Sequence, residues 1–275
     1  MNEILIVNGL SFRYGNQTIF KDINLSLGRG KVLALLGPNG CGKTTLINCI
    51  LNFLKADKGE VILNGKSISQ MKVNEVAKIA AYVPQVHNKT FPYKVEEIVM
   101  MGRAAYTPVY SSPNKEDRER ALEAMKTVGI YHLKDRPYIY LSGGESQLVM
   151  LARAITQETP LIVMDEPTSH LDCYNELLML DRVIQLIKEK QITVLIATHF
   201  PNQVYHLMNN GLKVDVALMK KQKFMDYGSA NQILTEKNIT KLYGVKTIKL
   251  SAKDEQGKFI EQIVPIGIEE NYLGN

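Results

Sequence analysis

Residues 32–45, VLALLGPNGCGKTT, decide the fold of this chain. The first five residues form an uninterrupted apolar run, which predicts a short strand buried on both faces. The next eight residues match the pattern G-x-x-x-x-G-K-T, and a helix is predicted over 43–54. A glycine-rich turn of this pattern between a buried strand and a helix indicates a phosphate-binding loop in an α/β protein.

Each residue type in this loop suits phosphate binding. Gly37, Gly40 and Gly42 allow the backbone to turn its N–H groups inward around an anion, and the following helix adds the positive end of its dipole. Lys43 is expected to neutralise the β- and γ-phosphates, and the Thr44 hydroxyl to bind Mg²⁺. The alternative, an incidental lysine after a glycine-rich turn, does not explain the complete pattern. The predicted nucleotide-binding residues of the loop are Gly37, Pro38, Asn39, Gly40, Cys41, Gly42, Lys43, Thr44 and Thr45.

A second buried strand ends in two acidic residues, in the stretch LIVMDE at 161–166. Functional groups of parallel strands lie at the carboxyl ends of those strands. We therefore expect Asp165 to bind Mg²⁺, and Glu166 to orient the attacking water or to accept its proton. The alternative is that this pair only begins a loop and caps the next element. The phosphate-binding loop upstream favours the catalytic interpretation.

The rest of the chain predicts an α/β core interrupted by a helical block at 86–150. Apolar and polar residues alternate in the first two segments, as in half-buried strands, and later segments show the helical spacing of apolar residues. Asn114 is a predicted helix cap and Gly129 a predicted helix stop. The predicted strands are 3–14, 18–27, 60–64, 80–84, 161–164 and 193–197. The predicted helices are 74–79, 94–103, 115–128, 145–157 and 174–190, the last with Leu177, Leu180, Ile184 and Ile187 along one stripe. The tail after 214 is expected to form short strands around a helical piece at 230–243 and to end in a polar stretch.

Composition excludes two broad classes of protein. Hydrophobic residues make up 45% of the 275 residues and charged residues 22%, which excludes disorder over most of the chain. No apolar run reaches the ~18–20 residues of a membrane-spanning helix. The N-terminal residues do not resemble a signal peptide, and three cysteines without metal-site spacing indicate a reducing cytosol. The net charge of +5 weakly suits anionic ligands or an anionic membrane face and by itself decides nothing.

The segment LSGGE at 141–145 has two interpretations that are compatible with each other. Ser142 and Glu145 form the pattern of a capping box, and a glycine-rich helix start is also an anion site. The segment resembles LSGGQ, the signature of the ATP-binding-cassette (ABC) ATPases. Other motifs of that family follow its order: Tyr14 at the A-loop position, Gln85 in the Q-loop, residues 169–172 as the D-loop and His199 as the H-switch. The resemblance covers residues 3–245.

This resemblance implies a P-loop NTPase (RecA-like) core with an N-terminal antiparallel β-subdomain and an inserted α-helical subdomain. Residues 1–85 and 151–210 would form the core with its β-subdomain, 86–150 the helical subdomain, and 211–275 the C-terminal strands and helices of a single domain. It also implies ATP and Mg²⁺ as ligands and a homodimer. In that dimer each ATP lies between the phosphate loop of one copy and the signature of the other.

The family motifs assign roles to particular residues. They imply Glu166, His199 and Gln85 as catalytic residues, and Thr44, Gln85 and Asp165 as the Mg²⁺ ligands. Glu145 departs from the family pattern, which has glutamine there, although Gln147 keeps a glutamine two positions later. His170 in the D-loop is a candidate for a nucleotide-linked or interface role. Beyond the phosphate loop, the implied nucleotide-binding residues are Tyr14, Ser142, Gly143, Gly144, Glu145 and Asp172.

Residues 95–103, with the pattern V-x-E-x-V-x-x-G-R, resemble importers of iron-siderophore complexes, haem and cobalamin. The tail at 234–245 is similar to the same group. The resemblance implies an integral membrane permease, a substrate-binding protein acting through it, no nucleic acid, and a peripheral location at the cytoplasmic face of the membrane. It also implies a groove beside the helical block that receives a permease helix, and we expect residues 86–112, with Glu96 and Glu97, to control that binding. The alternatives are an exporter or another metal or oxyanion importer, a soluble non-transport ABC ATPase, and a purely structural role for 94–103.

Overall fold

The computed structural model describes residues 2–85, 91–107, 111, 113–169 and 171–269. The strands of these residues are β1 Glu3–Tyr14, β2 Gln17–Gly28, β3 Val32–Leu36, β4 Lys58–Leu63, β5 Lys66–Ser67, β6 Ala80–Val83, β7 Leu161–Asp165, β8 Thr193–Thr198, β9 Val214–Lys220, β10 Lys223–Ser229, β11 Val245–Lys253 and β12 Phe259–Ile268. The helices are α1 Lys43–Ile50, α2 Val73–Ala77, α3 Val95–Met100, α4 Lys115–Val128, α5 Gly143–Thr156, α6 Cys173–Lys190, α7 Pro201–Asn209, α8 Ala230–Ile233 and α9 Glu236–Tyr243.

A mixed sheet with the strand order β10-β9-β3-β8-β7-β6 forms the centre of the fold. Strands β9, β3, β8, β7 and β6 are parallel, and β10 is an antiparallel edge strand. Every residue of β3, β7 and β8 is buried, as their continuous apolar sequences predicted. The carboxyl ends of the parallel strands therefore meet along one edge of the sheet.

The two faces of this sheet have separate hydrophobic cores. Leu33 and Leu35 of β3 pack with α1 and with the antiparallel sheet of order β2-β1-β4-β5. Ala34 and Leu36 of the same strand pack with the helices that follow in the chain. Successive side chains of a strand point to opposite faces, so one five-residue strand contributes to both cores. This arrangement confirms the predicted α/β fold with an N-terminal antiparallel sheet.

Local capping fixes the helices of the block between β6 and β7. Asn114 accepts the N–H of Asp117 at 2.9 Å, and Asp117 accepts the N–H of Asn114 at 3.1 Å, which makes a capping box at the start of α4. Gly129 ends this helix with φ of 87°, in the left-handed region that favours glycine. The predicted helix, its cap and its stop are all confirmed. α5 runs through residue 150, so the division of the chain at 85 and 150 into core and helical subdomain stays a proposal.

Two helix predictions were wrong in detail. The helix predicted over 43–54 ends at Ile50, because Asn52 adopts φ of 61° and the N–H groups of Phe53 and Leu54 turn back to the carbonyl of Asn48. Leu177 was assigned to the buried stripe of α6, but its side chain is 47% exposed. The buried stripe instead consists of Met179, Leu180, Val183, Ile184, Leu186 and Ile187.

The C-terminal part of the chain is more ordered than the sequence suggested. Helix α7 begins at Pro201, which suits the first position of a helix, and it was not predicted. The predicted short strands around a helical piece are confirmed, and β11 and β12 form an antiparallel hairpin, while residues 270–275 of the predicted polar ending lie outside the described residues. Asn202 and Asn209 of α7 hold the backbone of β12 through side-chain hydrogen bonds to residues 263 and 261. None of the helices in the described ranges has the length and apolar character needed to cross a bilayer.

A short 3-10 turn at Met101–Arg103 connects α3 to α5 by close backbone contact. A Cβ atom added to Gly102 would lie 2.3 Å from the carbonyl oxygen of Arg153 in α5. Arg103 anchors the same turn, because its guanidinium donates to Asp117 at 2.9 Å and to the Thr156 carbonyl at 3.0 Å. The glycine at this position is therefore required by packing.

We predict that Gly102→Ala destabilises the protein by about 1–3 kcal/mol, the usual cost of overpacking a tight contact. Thermal unfolding followed by circular dichroism measures the loss. Gly267→Ala is the matched control, because nothing lies within 4 Å of a Cβ at that position. Equal melting temperatures for the two variants would show that the contact between the turn and α5 can relax without cost.

Candidate active site

Four neighbouring strands of the central sheet end at the same edge with a motif that the sequence singled out. The phosphate loop follows β3, and Gln85 follows β6. Asp165 is the last residue of β7, Glu166 comes directly after it, and His199 follows β8. The structure thus brings together the predicted catalytic residues from distant parts of the chain. Their convergence follows from the parallel order of the strands.

The phosphate loop is wrapped around its own lysine. The Lys43 ammonium donates to the carbonyl oxygens of Gly37 at 2.8 Å and Pro38 at 3.2 Å, and the side chain is buried. Gly37 has no room for a side chain, because a Cβ there would lie 2.3 Å from the carbonyl oxygen of Met219 in β9. Gly42 precedes α1 with φ of 105°, which glycine adopts readily. Gly37 and Gly42 of the predicted phosphate loop therefore stand at positions where a side chain would not fit or would be strained.

Glu166 is the residue on which the site converges. Its side chain is 7% exposed, and its Oε1 lies 3.1 Å from the Lys43 ammonium. Its Oε2 accepts from the Gln85 amide at 3.1 Å and lies 3.0 Å from His199 Nδ1. A carboxylate accepts, so the arrangement favours the His199 tautomer with the proton on Nδ1. Each of the two carboxylate oxygens is therefore oriented by a group from another strand end.

The backbone of Glu166 is held in an unusual conformation. Its φ of 45° is in the left-handed region, which costs a non-glycine residue about 1–2 kcal/mol. Its N–H donates to the Ala197 carbonyl at 2.9 Å, and its carbonyl accepts from the Ser169 amide at 3.1 Å and hydroxyl at 2.9 Å. The D-loop and β8 together hold this strained residue in place, as is typical of functional sites.

Asp165 has a different environment from its neighbour. Its side chain is 1% exposed, and neither carboxylate oxygen has a hydrogen-bond partner among the described residues. Burial raises the pKa of Asp165, although the nearby Thr44 hydroxyl and the charge of Lys43 act in the opposite direction. The Thr44 and Tyr82 hydroxyls lie close without completing a hydrogen bond of normal geometry. A buried carboxylate with unused oxygens next to a hydroxyl fits the oxygen-ligand chemistry of Mg²⁺.

The signature segment is capped as the sequence predicted. Ser142 Oγ accepts the N–H of Glu145 at 3.2 Å, and Glu145 Oε2 accepts the N–H of Ser142 at 2.7 Å. The other oxygen of Glu145 is paired with Arg136 at 3.1 Å, and Arg136 also donates to the Tyr140 carbonyl at 2.9 Å. The carboxylate of Glu145 is thus held against its own helix start and partly neutralised. In the described residues neither Ser142 nor Glu145 forms a hydrogen bond with the 37–45 loop.

Two contacts near the signature were not predicted. Gln147 is buried, and its side-chain amide donates to the Gln85 carbonyl at 3.0 Å, so it joins α5 to the Q-loop and does not replace the missing signature glutamine. A Cβ on Gly144 would lie 2.5 Å from the Asn175 side chain, and Asp172 holds that side chain at 3.0 Å. Asn175 therefore links the signature to Asp172 of the D-loop. Ser142 and Gln147 are five residues apart, so they lie on different faces of the helix. This spacing is the feature of the sequence that could have predicted that Gln147 does not belong to the signature surface.

The remaining site residues have defined positions. Tyr14 ends β1, is about half exposed and packs edge-on against Phe12 with ring centres 4.8 Å apart. Asp172 caps α6 by accepting the N–H of Asn175 at 2.8 Å. Cys41 lies in the loop, and burial raises the pKa of its thiol, with Lys43 opposing, which agrees with a small filler residue. The prediction for His170 lies outside the described residues.

Comparison with known proteins identifies the family. The ABC transporter family profile matches residues 20–169, more than half of the chain. The chain belongs to the ABC transporter ATPases. It is 35% identical to the molybdate import ATP-binding protein MolC of Haemophilus influenzae, over 97% of this chain and 98% of that protein. It is 34% identical to the probable iron chelatin transport ATP-binding protein of Helicobacter pylori, over 87% and 92% of the two chains.

A solved structure supports the same family. A protein described as a metal-chelate type ABC transporter in an inward-facing conformation superposes with a TM-score of 0.83 at 34% identity. The match covers 97% of this chain and 98% of that chain. This ABC protein is therefore an ATPase that binds nucleotide, with the fold that its motifs predicted.

The charge of Glu145 gives a pH-dependent prediction for the stability of the signature. Burial acts to raise its pKa, but the Ser142 amide and hydroxyl and the positive Arg136 outweigh burial and hold the pKa below its usual range. A lowered pKa contributes stability above the unfolded-state pKa of about 4.3, and that stability is lost as the pH falls through the folded-state value. We therefore expect Glu145→Gln to be less stable than the wild type at pH 7 and nearly equal to it at low pH.

Urea unfolding between pH 7 and about pH 2, a range that extends below the lowered folded-state pKa, measures this difference. Glu255→Gln is the control, because Glu255 is exposed and makes no hydrogen bond or ion pair in the described part of the chain. A difference between Glu145→Gln and the wild type that stays constant with pH would show that the carboxylate charge does not stabilise the signature.

Proposed function

We propose that this chain is the ATP-hydrolysing subunit of an importer that moves a metal chelate through a separate membrane permease. The similarity along 97% of the chain to a structure described as a metal-chelate type ABC transporter carries this proposal. The relative named for iron chelatin transport and the pattern at 95–103 support the same class. The substrate would be of the iron-siderophore, haem or cobalamin type. Molybdate, named for the Haemophilus relative, is the competing substrate class.

The geometry of the strand ends supports a hydrolytic role for Glu166. In this proposal Lys43 and the amides of the 37–45 loop bind the β- and γ-phosphates of ATP. Glu166, already held by His199 and Gln85, accepts the proton of the attacking water, because a buried carboxylate fixed at both oxygens can act as a positioned base. His199 orients that carboxylate and faces the γ-phosphate. Tyr14, with its exposed ring, stacks on the adenine.

Mg²⁺ fits beside this carboxylate. Asp165, Thr44 and Gln85 would hold it, since the Asp165 oxygens are buried and lack hydrogen-bond partners among the described residues. When bound, the ion would neutralise charge on the phosphates. The Lys43 ammonium would neutralise charge on the same phosphates.

A second copy of the chain would complete each nucleotide site. Ser142 and Gly143 are exposed at the start of α5. The N–H of Gly143, which takes no part in the capping box, can bind the γ-phosphate of ATP held by the other copy. Arg136 reduces the negative charge that Glu145 would otherwise bring to that phosphate. Asp172 would support the signature from the D-loop through Asn175. This homodimer would sit at the cytoplasmic face of the membrane, bound to permease subunits, with the substrate-binding protein acting through them and no nucleic acid involved.

Glu96 and Glu97 have structural partners within the helical block. Glu96 is buried in an ion pair with Arg118, and the exposed Glu97 accepts the N–H of Lys94 at 2.7 Å as part of the cap of α3. Their control of permease binding stays a prediction. A groove with an exposed apolar rim at Phe53 and Met101 lies between the core and this block.

We predict that Glu166→Gln slows ATP hydrolysis by about 10²–10⁴-fold, the usual contribution of a positioned base. Its affinity for Mg-ATP should remain, because the phosphate loop is unchanged. Asp165→Asn should instead weaken the Mg²⁺-dependent part of nucleotide binding. Steady-state phosphate release and Mg-ATP titration separate the two effects. Wild-type hydrolysis by Glu166→Gln would reassign the base, with His199 the first candidate.

Transport measurements test the proposed substrate class. The chain and its permease, reconstituted in vesicles with the substrate-binding protein, should take up a ferric siderophore, haem or cobalamin only with ATP. The Glu166→Gln variant in the same vesicles is the control for coupling. Uptake of molybdate alone would overturn the metal-chelate class while keeping the importer, and ATP-driven export would overturn the importer.

A further inference from the structure

Gln203 of α7 lies at the centre of a buried hydrogen-bond network beside the strand ends. Its side chain is 3% exposed. The amide oxygen accepts the Thr198 hydroxyl at 2.7 Å. The amide nitrogen donates to the Thr168 hydroxyl oxygen at 2.5 Å and to a carboxylate oxygen of Glu176 at 2.8 Å. One side chain therefore joins the end of β8, the segment after β7 and the first turn of α6.

The Glu176 carboxylate fixes the orientation of this amide. A carboxylate only accepts hydrogen bonds, so the amide nitrogen of Gln203 faces Glu176 and the amide oxygen faces Thr198. Turning the amide by 180° would place its oxygen against the carboxylate, and two buried acceptors would then lack a donor. The network is therefore satisfied in one orientation of the amide.

The Thr198 hydroxyl fixes the turn that carries His199. Thr198 is the last residue of β8, and the N–H of Phe200 donates back to its hydroxyl at 3.0 Å. His199, between these two residues, has its Nδ1 3.0 Å from Oε2 of Glu166. Because Gln203 accepts the proton of the Thr198 hydroxyl, it holds that hydroxyl in the orientation that receives the N–H.

The Thr168 hydroxyl links the same amide to the D-loop. Thr168 is 4% exposed and directly precedes Ser169, the first D-loop residue. The amide and hydroxyl of Ser169 hold the carbonyl of Glu166, which has the strained φ of 45°. Gln203 thus adjoins the segment that orients the Glu166 carboxylate and the segment that holds the Glu166 backbone. In the described part of the chain it makes no hydrogen bond to Glu166 itself.

Anchoring of α7 is the alternative role for Gln203. Three apolar or aromatic side chains of the same helix already anchor it, since Val204, Tyr205 and Leu207 are each 1% exposed. A buried amide stabilises less than an apolar side chain unless its hydrogen bonds are made. The arrangement of its partners around Glu166 therefore favours a role in positioning.

We propose that Gln203 is a positioning residue for ATP hydrolysis, which locks the His199 turn to the D-loop and so holds Glu166 at its carboxylate and its backbone together. The inference rests on the role of Glu166 as the base in the proposed function. Within the described ranges the side chain of Gln203 makes no hydrogen bond to the 37–45 loop. Loss of the lock should therefore lower kcat and leave the affinity for Mg-ATP unchanged.

Gln203→Met tests the lock, because it keeps the length of the side chain and removes its three hydrogen bonds. It should lower kcat by about tenfold to a hundredfold, since a small misplacement of a catalytic group is enough for such a loss. The Kd for Mg-ATP should equal that of the wild type. All rates are measured below the melting temperature of each variant.

Tyr205→Phe is the matched control on the same helix. It removes one buried hydrogen bond, from the Tyr205 hydroxyl to the Leu234 carbonyl at 3.0 Å, far from the partners of Gln203 in the sequence. This variant should hydrolyse ATP at the wild-type rate. Equal kcat values for Gln203→Met and Tyr205→Phe would overturn the proposal.

Substitutions at Thr198 test the same link with a smaller change in packing. Thr198→Val removes the hydroxyl and should lower kcat, whereas Thr198→Ser keeps the hydroxyl and should retain most of the activity. In the Thr198→Val background, Gln203→Met should cause a smaller loss than it does alone, because the link is already broken. Equal losses for the valine and serine variants would show that the hydroxyl does not govern the rate, which would overturn the proposal.

The Glu166→Gln background separates this proposal from the proposed function. If Gln203 acts through Glu166, Gln203→Met should add little to the loss caused by Glu166→Gln. A full additional loss would overturn the positioning role. If Glu166→Gln hydrolyses ATP at the wild-type rate, the base of the proposed function is wrong and the positioning role fails with it. If Glu166→Gln is slow and Gln203→Met is as active as Tyr205→Phe, only the positioning role fails.

Discussion

The buried ion pair between Lys43 and Glu166 is the interaction on which the nucleotide edge of this protein depends. Two charges withdrawn from water are unfavourable unless hydrogen bonds satisfy the rest of each group. Two loop carbonyls do so for Lys43, and Gln85 and His199 do so for Glu166. This network ties together the ends of β3, β6, β7 and β8. The catalytic geometry is therefore a consequence of satisfying one buried pair.

The central sheet makes this arrangement possible because it is covered on both faces. Leu33 and Leu35 face the antiparallel sheet, and Ala34 and Leu36 face the helices. Because both faces of the central sheet are buried, polar groups of its strands reach solvent only at the strand ends. The site, the D-loop and the signature helix then meet through Ser169 and Gln147, which contact Glu166 and Gln85. The ends of β6 and β7 thus adjoin the signature helix and the D-loop.

The sequence predicted what depends on local pattern. The apolar run at 32–36, the cap at Asn114 and the stop at Gly129 encode their structure within a few residues, and the motifs located every residue around Glu166. Features that depend on tertiary contact were missed. The hairpin β11–β12 is held by Asn202 and Asn209 of a distant helix, and Leu177 is exposed although its spacing matches a buried stripe.

A mixture of two inactive variants tests most directly whether two copies share each site. Lys43→Ala disables the phosphate loop and keeps the signature, and Ser142→Arg disables the signature and keeps the loop. Random pairing gives half hybrid dimers, each with one intact site, so the mixture should recover about a quarter of wild-type ATP hydrolysis. Each variant alone should remain inactive. A mixture no more active than its components would contradict the shared site and place the whole reaction within one chain.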